Sequence, residues 1–186
     1  MSKIKQNKIN FINLGQLLVI IICFIIGFNF KSEATTLPST ILGMMTKIQT
    51  TNFLQNFIWL FTHNLTLMFV IFWISYFSFG VIGTLWCISN TFMLGTLAKV
   101  YLLIIDNAWL SLLFMTLELI ASVLAMISST KFRYERFKAK KAFAGNDELY
   151  MKTKKKQEKR ILVVFAVIGC LLLTAAILET IVLSYL

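Results

Sequence analysis

The chain has 186 residues, of which 58% are hydrophobic and 14% charged, and its mean hydropathy is +0.79. So few charged residues exclude a soluble globular protein, and the length allows four or five membrane crossings of about 20 residues with no separate soluble domain. We therefore predict a single membrane domain over residues 1–186, an all-α bundle of about five transmembrane helices.

The first hydrophobic run covers residues 10–30 and follows three lysines, Lys3, Lys5 and Lys8. A cleaved signal peptide has a shorter hydrophobic core, of about 7 to 15 residues. We therefore interpret this run as an uncleaved first transmembrane helix. The following residues 31–55 are more polar, but hydrophobic side chains recur at helical spacing from Ile41 to Ile48, which predicts a short helix at the membrane interface.

Residues 56–101 contain one charged residue, Lys99, and form a hydrophobic stretch too long for a single crossing. Serines and a glycine within residues 75–80 favour a tight turn, which divides the stretch into helices at about 56–75 and 79–101. Small residues allow helices to approach closely in membranes, so we expect the third helix, which carries three glycines, to be central. These glycines are Gly80, Gly83 and Gly95.

The last two hydrophobic runs flank a long polar segment. A turn at Asp106 and Asn107 precedes the fourth predicted transmembrane helix, at about 108–129, and the fifth covers 161–185. Between them we predict a basic loop over residues 131–160, in which twelve lysines and arginines outnumber four acidic residues.

Lysine and arginine are unevenly distributed along the chain. They concentrate before the first helix and in residues 131–160, whereas the other connections carry only Lys31, Lys47 and Lys99. Cytoplasmic segments of membrane proteins carry an excess of these residues. An even number of crossings separates the two basic segments, so the charge rule and the helix count agree. We predict an N-in and C-out protein of the bacterial plasma membrane.

Two interpretations of residues 131–160 remain open. Aromatic residues alternate with the bases, as in an amphipathic helix lying on the anionic inner leaflet. Alternatively, the bases form a docking surface for a cytoplasmic partner such as an ATPase subunit or for other membrane subunits. Nucleic-acid binding is not predicted, because the topology rule already explains the charge. The candidate docking residues are Lys152, Lys154, Lys155, Lys156, Lys159 and Arg160.

Four polar residues fall at similar depth in the predicted helices. Counted at 1.5 Å per residue from Asn107, Glu118 lies about 16 Å into the membrane, near its midplane. We predict an intramembrane polar network on three helices, either hydrogen bonds that hold the bundle together or a protonatable relay or substrate site. Its members are His63, Asn64, Asn90 and Glu118.

Glu179 is a further candidate. Counted from the start of the fifth helix at residue 161, it lies about 27 Å along the helix. This is near the outer interface, where we expect solvent to reach it.

Signals for catalysis, metals and cofactors are missing from the sequence. The three cysteines, Cys23, Cys87 and Cys170, fall in three hydrophobic runs without metal-ligand spacing, so we interpret them as buried packing residues. There is no serine, histidine and acid set, no pair of carboxylates on one helix and no phosphate-binding loop. We predict neither an enzyme nor a bound cofactor or metal.

Three short motifs and one acidic residue form a pattern: FTHN at residues 61–64, FGVIGTLWCISNTFMLG from Phe79 to Gly95, LELIA at residues 117–121, and Glu179. This pattern resembles the stage II sporulation protein M family of small bacterial membrane proteins. The resemblance implies about five crossings. The chain departs from the usual pattern of the family at three places: Phe114 and Met115 replace a His-Gly pair, Thr91 replaces a glycine, and no proline follows Glu179.

The resemblance implies two functional settings. Family members anchor a peptidoglycan-remodelling complex during spore engulfment, and divergent members occur with bacteriocin genes, where they are linked to secretion or immunity. The departures and the short chain favour the second setting. The leading hypothesis is therefore a non-enzymatic membrane component of bacteriocin export or immunity in a Gram-positive bacterium, acting with transporter or ATPase subunits. The alternatives are a scaffold for sporulation or cell-envelope remodelling and a small transporter with its own site at Glu118.

Overall fold

The structure, a computed structural model, describes residues 3–29, 52–104, 108–143 and 147–184, with side chains for 15–29, 52–99, 109–143 and 147–184. These residues form five α-helices and no strand, which confirms the all-α prediction. The interfacial helix predicted between Ile41 and Ile48 and the turn at Asp106 and Asn107 lie outside the described residues. The helices are α1 (Lys3–Asn29), α2 (Phe53–Phe77), α3 (Val81–Ile104), α4 (Ala108–Ala142) and α5 (Asp147–Leu183).

The outer surface of the bundle is apolar. Helices α2 to α5 are each long and apolar enough to cross a membrane, and α1 contributes a shorter apolar helix over Gly15–Asn29. Large hydrophobic side chains point outward, for example Leu162 and Val163, which are 70% and 64% exposed. Water would solvate such a surface poorly, whereas lipid matches it. The predicted transmembrane helix bundle is confirmed.

A tight turn joins α2 to α3 at residues 78–80, inside the segment predicted from its serines and glycine. Phe79 and Gly80 have φ angles of 52° and 89°, and the backbone N–H of Gly80 donates to the carbonyl of Ser75 at 2.8 Å. This left-handed ending is typical of a helix C-terminus and favours glycine. A Cβ at Gly80 would also contact the side chain of Thr130 on α4, so a glycine serves both the turn and the packing.

Helices α1 and α3 run in the same direction. Near the amino-terminal end of both, Gln16 Nε2 donates to Thr84 Oγ1 at 2.9 Å. Further along, Gly27 lies against the backbone of Phe92. Helix α1 packs chiefly on α3, which also contacts α2 and α4. The predicted third helix therefore connects α1 to the rest of the bundle.

Helices α2 and α4 are also parallel to each other, and both are antiparallel to α3 and α5. Asn64 contacts Glu118, and Tyr76 contacts Arg136, so residue numbers increase together along α2 and α4. Consequently the start of α1, the α2–α3 turn and residues 131–160 lie at one end of the bundle. The two basic segments thus share a side, as the even number of crossings requires; that this side is cytoplasmic remains the prediction of the charge rule.

Three clusters of buried apolar side chains lie within the described bundle, and the two with the most members fill most of it. The larger lies toward the end that carries the α2–α3 turn and includes Met68, Phe72 and Met126. The smaller lies toward the opposite end, between α3, α4 and α5. Its buried members are Leu94, Ala98, Phe114, Met115, Ala175 and Val182.

Residues 131–160, predicted as a loop, are instead almost entirely helical. Helix α4 continues to Ala142 and α5 begins at Asp147, well beyond the predicted transmembrane limits at 129 and 161. The physical reason is that lysine, arginine, glutamate, glutamine and alanine are strong helix formers, whereas hydropathy marks only where a helix leaves the lipid. We call residues 131–142 of α4 and 147–160 of α5 the basic hairpin.

The lengths of α4 and α5 show that the basic hairpin extends beyond the membrane. Helix α4 has 35 residues and α5 has 37. At 1.5 Å per residue each is more than 50 Å long, roughly 20 Å more than the hydrocarbon thickness. This differs from the predicted amphipathic helix lying on the leaflet, because the hairpin helices continue directly from membrane-spanning helices.

Candidate functional site

Two of the four predicted network residues meet between α2 and α4. Asn64 Nδ2 donates a hydrogen bond to Glu118 Oε1. The parallel arrangement of the two helices places both residues at the same depth, as the count of residues from the helix ends indicated. The acceptor oxygen of Glu118 is therefore paired within the bundle.

Glu179 lies in the same region, which corrects the expectation that it is solvated near the outer interface. Its Oε2 atom is enclosed and has no hydrogen-bond partner, and its carboxyl group is within electrostatic reach of Glu118. Side chains in a helix tilt toward its amino terminus, so in antiparallel α4 and α5 the tilt brings these two side chains closer in depth than their backbones. Counting backbone rise alone missed this convergence. We call Glu118 and Glu179 the acid pair.

The surroundings of the acid pair are apolar. Leu117, Leu119 and Leu178, the chain neighbours of the two acids, pack against the smaller buried cluster. Phe114 and Met115, which stand where the resembling family has a His-Gly pair, are each 2% exposed members of that cluster. The departure from the family pattern therefore adds apolar surface one turn away from Glu118.

Among the described side chains, neither His63 nor Asn90 forms a hydrogen bond with Glu118. His63 is exposed and stacks on Trp59, with ring centroids 5.1 Å apart. It lines a groove on the outside of α2 with Gln55, Thr62 and Thr66 among others. Asn90 is half-buried, and among the described side chains no hydrogen bond joins it to the acid pair. Its predicted depth was therefore not sufficient to place it in the network.

Hydrogen bonds that the sequence did not indicate join the two arms of the basic hairpin to each other and one arm to the bundle. Buried Gln157 donates from Nε2 to the carbonyl of Phe132 at 2.8 Å, which joins α5 to α4. Arg136 Nη1 donates to the hydroxyl of Tyr76 at 3.1 Å, which joins α4 to α2. The hydrogen bonds of Arg136 with the hydroxyls of Tyr76 and Tyr150 raise the pKa of its guanidinium above the ordinary value. In the sequence, Gln157 is the one uncharged residue within the charged run 154–160, and this could have indicated that its side chain is buried.

The candidate docking residues divide into two groups. Lys154 lies 4.0 Å from Glu158, and Arg160 donates to Glu135 at 3.0 Å, so these two bases pair within the hairpin. The other four are exposed, and no ion pair to a described side chain engages them. They are Lys152, Lys155, Lys156 and Lys159. Their charge is available to an external group.

An aromatic and arginine cluster marks the junction between the bundle and the basic hairpin. The guanidinium of Arg133 lies 5.3 Å from the ring centre of Tyr76 and 5.0 Å from that of Phe79. Trp73 contacts Tyr76 with ring centroids 5.7 Å apart. Aromatic residues and arginine concentrate at membrane–water interfaces, so this cluster locates the lipid boundary near the α2–α3 turn.

The cysteines are unpaired, and their burial differs. Cys87 is buried, Cys23 is half-buried and Cys170 is exposed on the outer surface of α5. The expectation of buried packing residues therefore fails for Cys170. Within the described residues, no three histidine, cysteine or acidic side chains are grouped closely enough to hold a metal ion.

Comparison with known families agrees with the motifs. The profile of the family described as stage II sporulation protein M matches residues 16–182. The chain belongs to this family. The match includes at least part of each of the five helices, both acids of the acid pair and the basic hairpin. Membership of the stage II sporulation protein M family together with the apolar helices identifies a membrane protein. No curated protein and no solved structure matches the chain significantly.

Proposed function

We propose that this member of the stage II sporulation protein M family is a non-enzymatic component of bacteriocin secretion or immunity in the plasma membrane of a Gram-positive bacterium. It acts with transporter or ATPase subunits, and the basic hairpin is the part that binds them. The observation that carries the proposal is the group of four exposed lysines, without an ion pair to any described side chain, on a helix that continues into the bundle.

Charge and rigidity both favour a protein partner for the hairpin. Lys152 lies eight residues before Arg160, so it is about 12 Å farther along α5 from the lipid boundary. At that distance a cytoplasmic acidic surface is a better match than headgroups in the plane of the membrane. A helix already held by Gln157 and Arg160 also loses little conformational entropy when a partner binds.

Co-purification in mild detergent tests this proposal. A variant with Lys152, Lys155 and Lys156 replaced by glutamine is compared with a matched control in which Lys131, Lys140 and Lys141 are replaced. All six lysines are exposed, so each variant removes the same charge from one arm of the hairpin. We expect at least about a tenfold loss of the partner subunit in the first variant only, equivalent to about 1.4 kcal/mol.

Two outcomes would count against partner docking at this arm. Unchanged recovery of an ATPase or transporter subunit with the first variant would show that these lysines are not needed for partner binding. Equal losses in both variants would point to general attraction of the hairpin to anionic lipid instead. Mass spectrometry of the purified complexes measures both outcomes.

A scaffold for sporulation or envelope remodelling is the second candidate, and the family description favours it. The same purification separates the two, because a remodelling scaffold is recovered with peptidoglycan-degrading enzymes. A small transporter with its own site is the third candidate, supported by the acid pair. If a folded Glu118→Gln variant retained full export or immunity in cells, this third candidate would be rejected.

A further inference from the structure

Two arginines of α4 converge on one tyrosine of α2 at the lipid boundary. The guanidinium of Arg133 lies over the ring of Tyr76, 5.3 Å from its centre, and Arg136 Nη1 donates to the hydroxyl of the same tyrosine at 3.1 Å. The ring of Phe79, in the α2–α3 turn, has its centre 5.0 Å from the Arg133 guanidinium. We propose that the two arginines bind the headgroup phosphate of one anionic phospholipid in the adjacent leaflet.

Among the described side chains, no acid pairs with either arginine. Residues 131–142 carry one acid, Glu135, and Arg160 donates to it at 3.0 Å. The Nε atom of Arg133 is enclosed and has no hydrogen-bond partner, and Arg136 donates to tyrosine hydroxyls rather than to carboxylates. Two guanidinium groups held beside one ring repel each other, and a bound anion relieves that repulsion. The charge of the cluster therefore favours an anion from outside the chain.

Arginine and phosphate match in geometry as well as in charge. The planar guanidinium offers its N–H groups as a fork to two phosphate oxygens, while its face stacks on an aromatic ring. Arg133 is half-buried and is held between two described rings, those of Tyr76 and Phe79, so it loses little conformational freedom when an anion binds. The structure therefore places Arg133 in advance for this contact.

The position of the cluster favours a lipid as the source of the phosphate. Arg133 lies four residues beyond the predicted end of the transmembrane segment at residue 129, or about 6 Å along the helix. Headgroups occupy roughly 5–8 Å on each side of the hydrocarbon, so their phosphates lie at this level. The rings of Phe79 and Phe137 are 48% and 57% exposed, with centroids 6.4 Å apart. They place an apolar surface beside the arginines, which fits a phospholipid better than a dissolved anion.

Native mass spectrometry of the full-length chain in mild detergent measures the bound lipid directly. The chain is mixed with dioleoylphosphatidylglycerol, which is anionic, or with dioleoylphosphatidylcholine, which has the same acyl chains but no net charge. We expect one phosphatidylglycerol to be retained preferentially, and Arg133→Gln to reduce its retention at least about tenfold. The matched control is Lys131→Gln, an exposed base two residues away at nearly the same depth, which should reduce retention less than about threefold.

Two further variants separate a shaped site from simple attraction of charge. Arg133→Lys keeps the charge but loses the planar fork, so we expect it to reduce retention about threefold or more. Phe79→Leu removes a ring beside Arg133, and we expect a similar loss. Its control is Phe77→Leu, because Phe77 is 68% exposed and no described contact joins it to either arginine. Since Phe79 is half-exposed, this variant remains informative if Arg133→Gln folds poorly, which circular dichroism detects.

Four results would overturn the assignment. Unchanged retention in the Arg133→Gln variant would show that this arginine does not hold the lipid. Equal losses in the Arg133→Gln and Lys131→Gln variants would indicate general attraction to the basic hairpin. Equal retention of the two lipids would exclude selection of an anionic lipid, and displacement of the lipid by excess inorganic phosphate would assign the site to a dissolved anion. The experiment contains no partner subunit, so the proposed docking on α5 is tested separately.

Discussion

Asn64 is the residue of α2 that links this helix to α4 at the depth of Glu118. Its side-chain amide donates to the Glu118 carboxyl group, whereas the adjacent His63 points to the outside of the bundle. Interhelical hydrogen bonds in membranes contribute on average less than about 1 kcal/mol, because the separated helices find other partners. Removal of a donor from a buried acid costs more, because the acid is left unpaired.

Replacing Asn64 tests this difference at the scale of one residue. We expect Asn64→Leu to lower the free energy of unfolding by about 1–2 kcal/mol, because Glu118 loses its donor. The neighbouring His63→Leu variant is the control and should change it by less than about 0.5 kcal/mol. Unfolding in a detergent titration followed by circular dichroism gives both values. Similar losses for the two variants would contradict a specific role for Asn64.

At the scale of helices, the crossing of α1 and α3 depends on two glycines. A Cβ on Gly27 would meet the carbonyl of Phe92, and a Cβ on Gly95 would meet the backbone of Phe24 and Phe28. These neighbours are backbone atoms, which cannot turn aside as a side chain can. Close approach of this kind provides the dispersion contacts that associate helices in lipid.

The same substitution at two glycines measures the importance of this crossing. Gly95→Ala should destabilise the protein by about 1–3 kcal/mol, because α1 must move away from α3. Gly169→Ala is the matched control: its added methyl group meets nothing within 4 Å, and alanine favours the helix by about 0.5–1 kcal/mol. Thermal unfolding of both proteins in the same detergent tests the prediction. A Gly95→Ala protein as stable as the Gly169→Ala protein would show that α1 does not need this contact.

For the whole molecule, the arrangement of helices and the distribution of charge predict the same orientation. The start of α1 and the basic hairpin lie at one end, and the end of α5 lies at the other. If the positive charge keeps the first end in the cytoplasm, residue 184 faces the outside. The orientation is therefore a property of the complete bundle rather than of one helix.

Labelling of single cysteines on intact cells tests the orientation. In a background with Cys23, Cys87 and Cys170 replaced by alanine, an exposed position is changed at each end, Glu148→Cys in the hairpin and Ser184→Cys after α5. A membrane-impermeant maleimide should label the Ser184→Cys variant directly and the Glu148→Cys variant only after permeabilisation. Direct labelling at position 148 would show that the hairpin faces the outside of the cell and that the predicted orientation is wrong.

The sequence by itself determined the features that depend on local composition. Long apolar runs must cross the lipid as helices, so the class of protein and the α2–α3 turn near Gly80 could be predicted. The common depth of Asn64 and Glu118 followed from a constant rise per residue. The basic segment was predicted to share the side of the amino terminus, since an even number of crossings lies between them.

The tertiary structure decided which polar groups meet. Helix α2 is apolar on nearly all sides, so its rotation about its own axis, and hence the outward position of His63 beside Asn64, could not be predicted from hydropathy. The convergence of Glu179 on Glu118 required the antiparallel packing of α4 and α5, because side-chain direction depends on helix direction. The extension of both helices through residues 131–160 is stabilised by contacts between them, such as that of Gln157 with Phe132, which link residues distant in sequence.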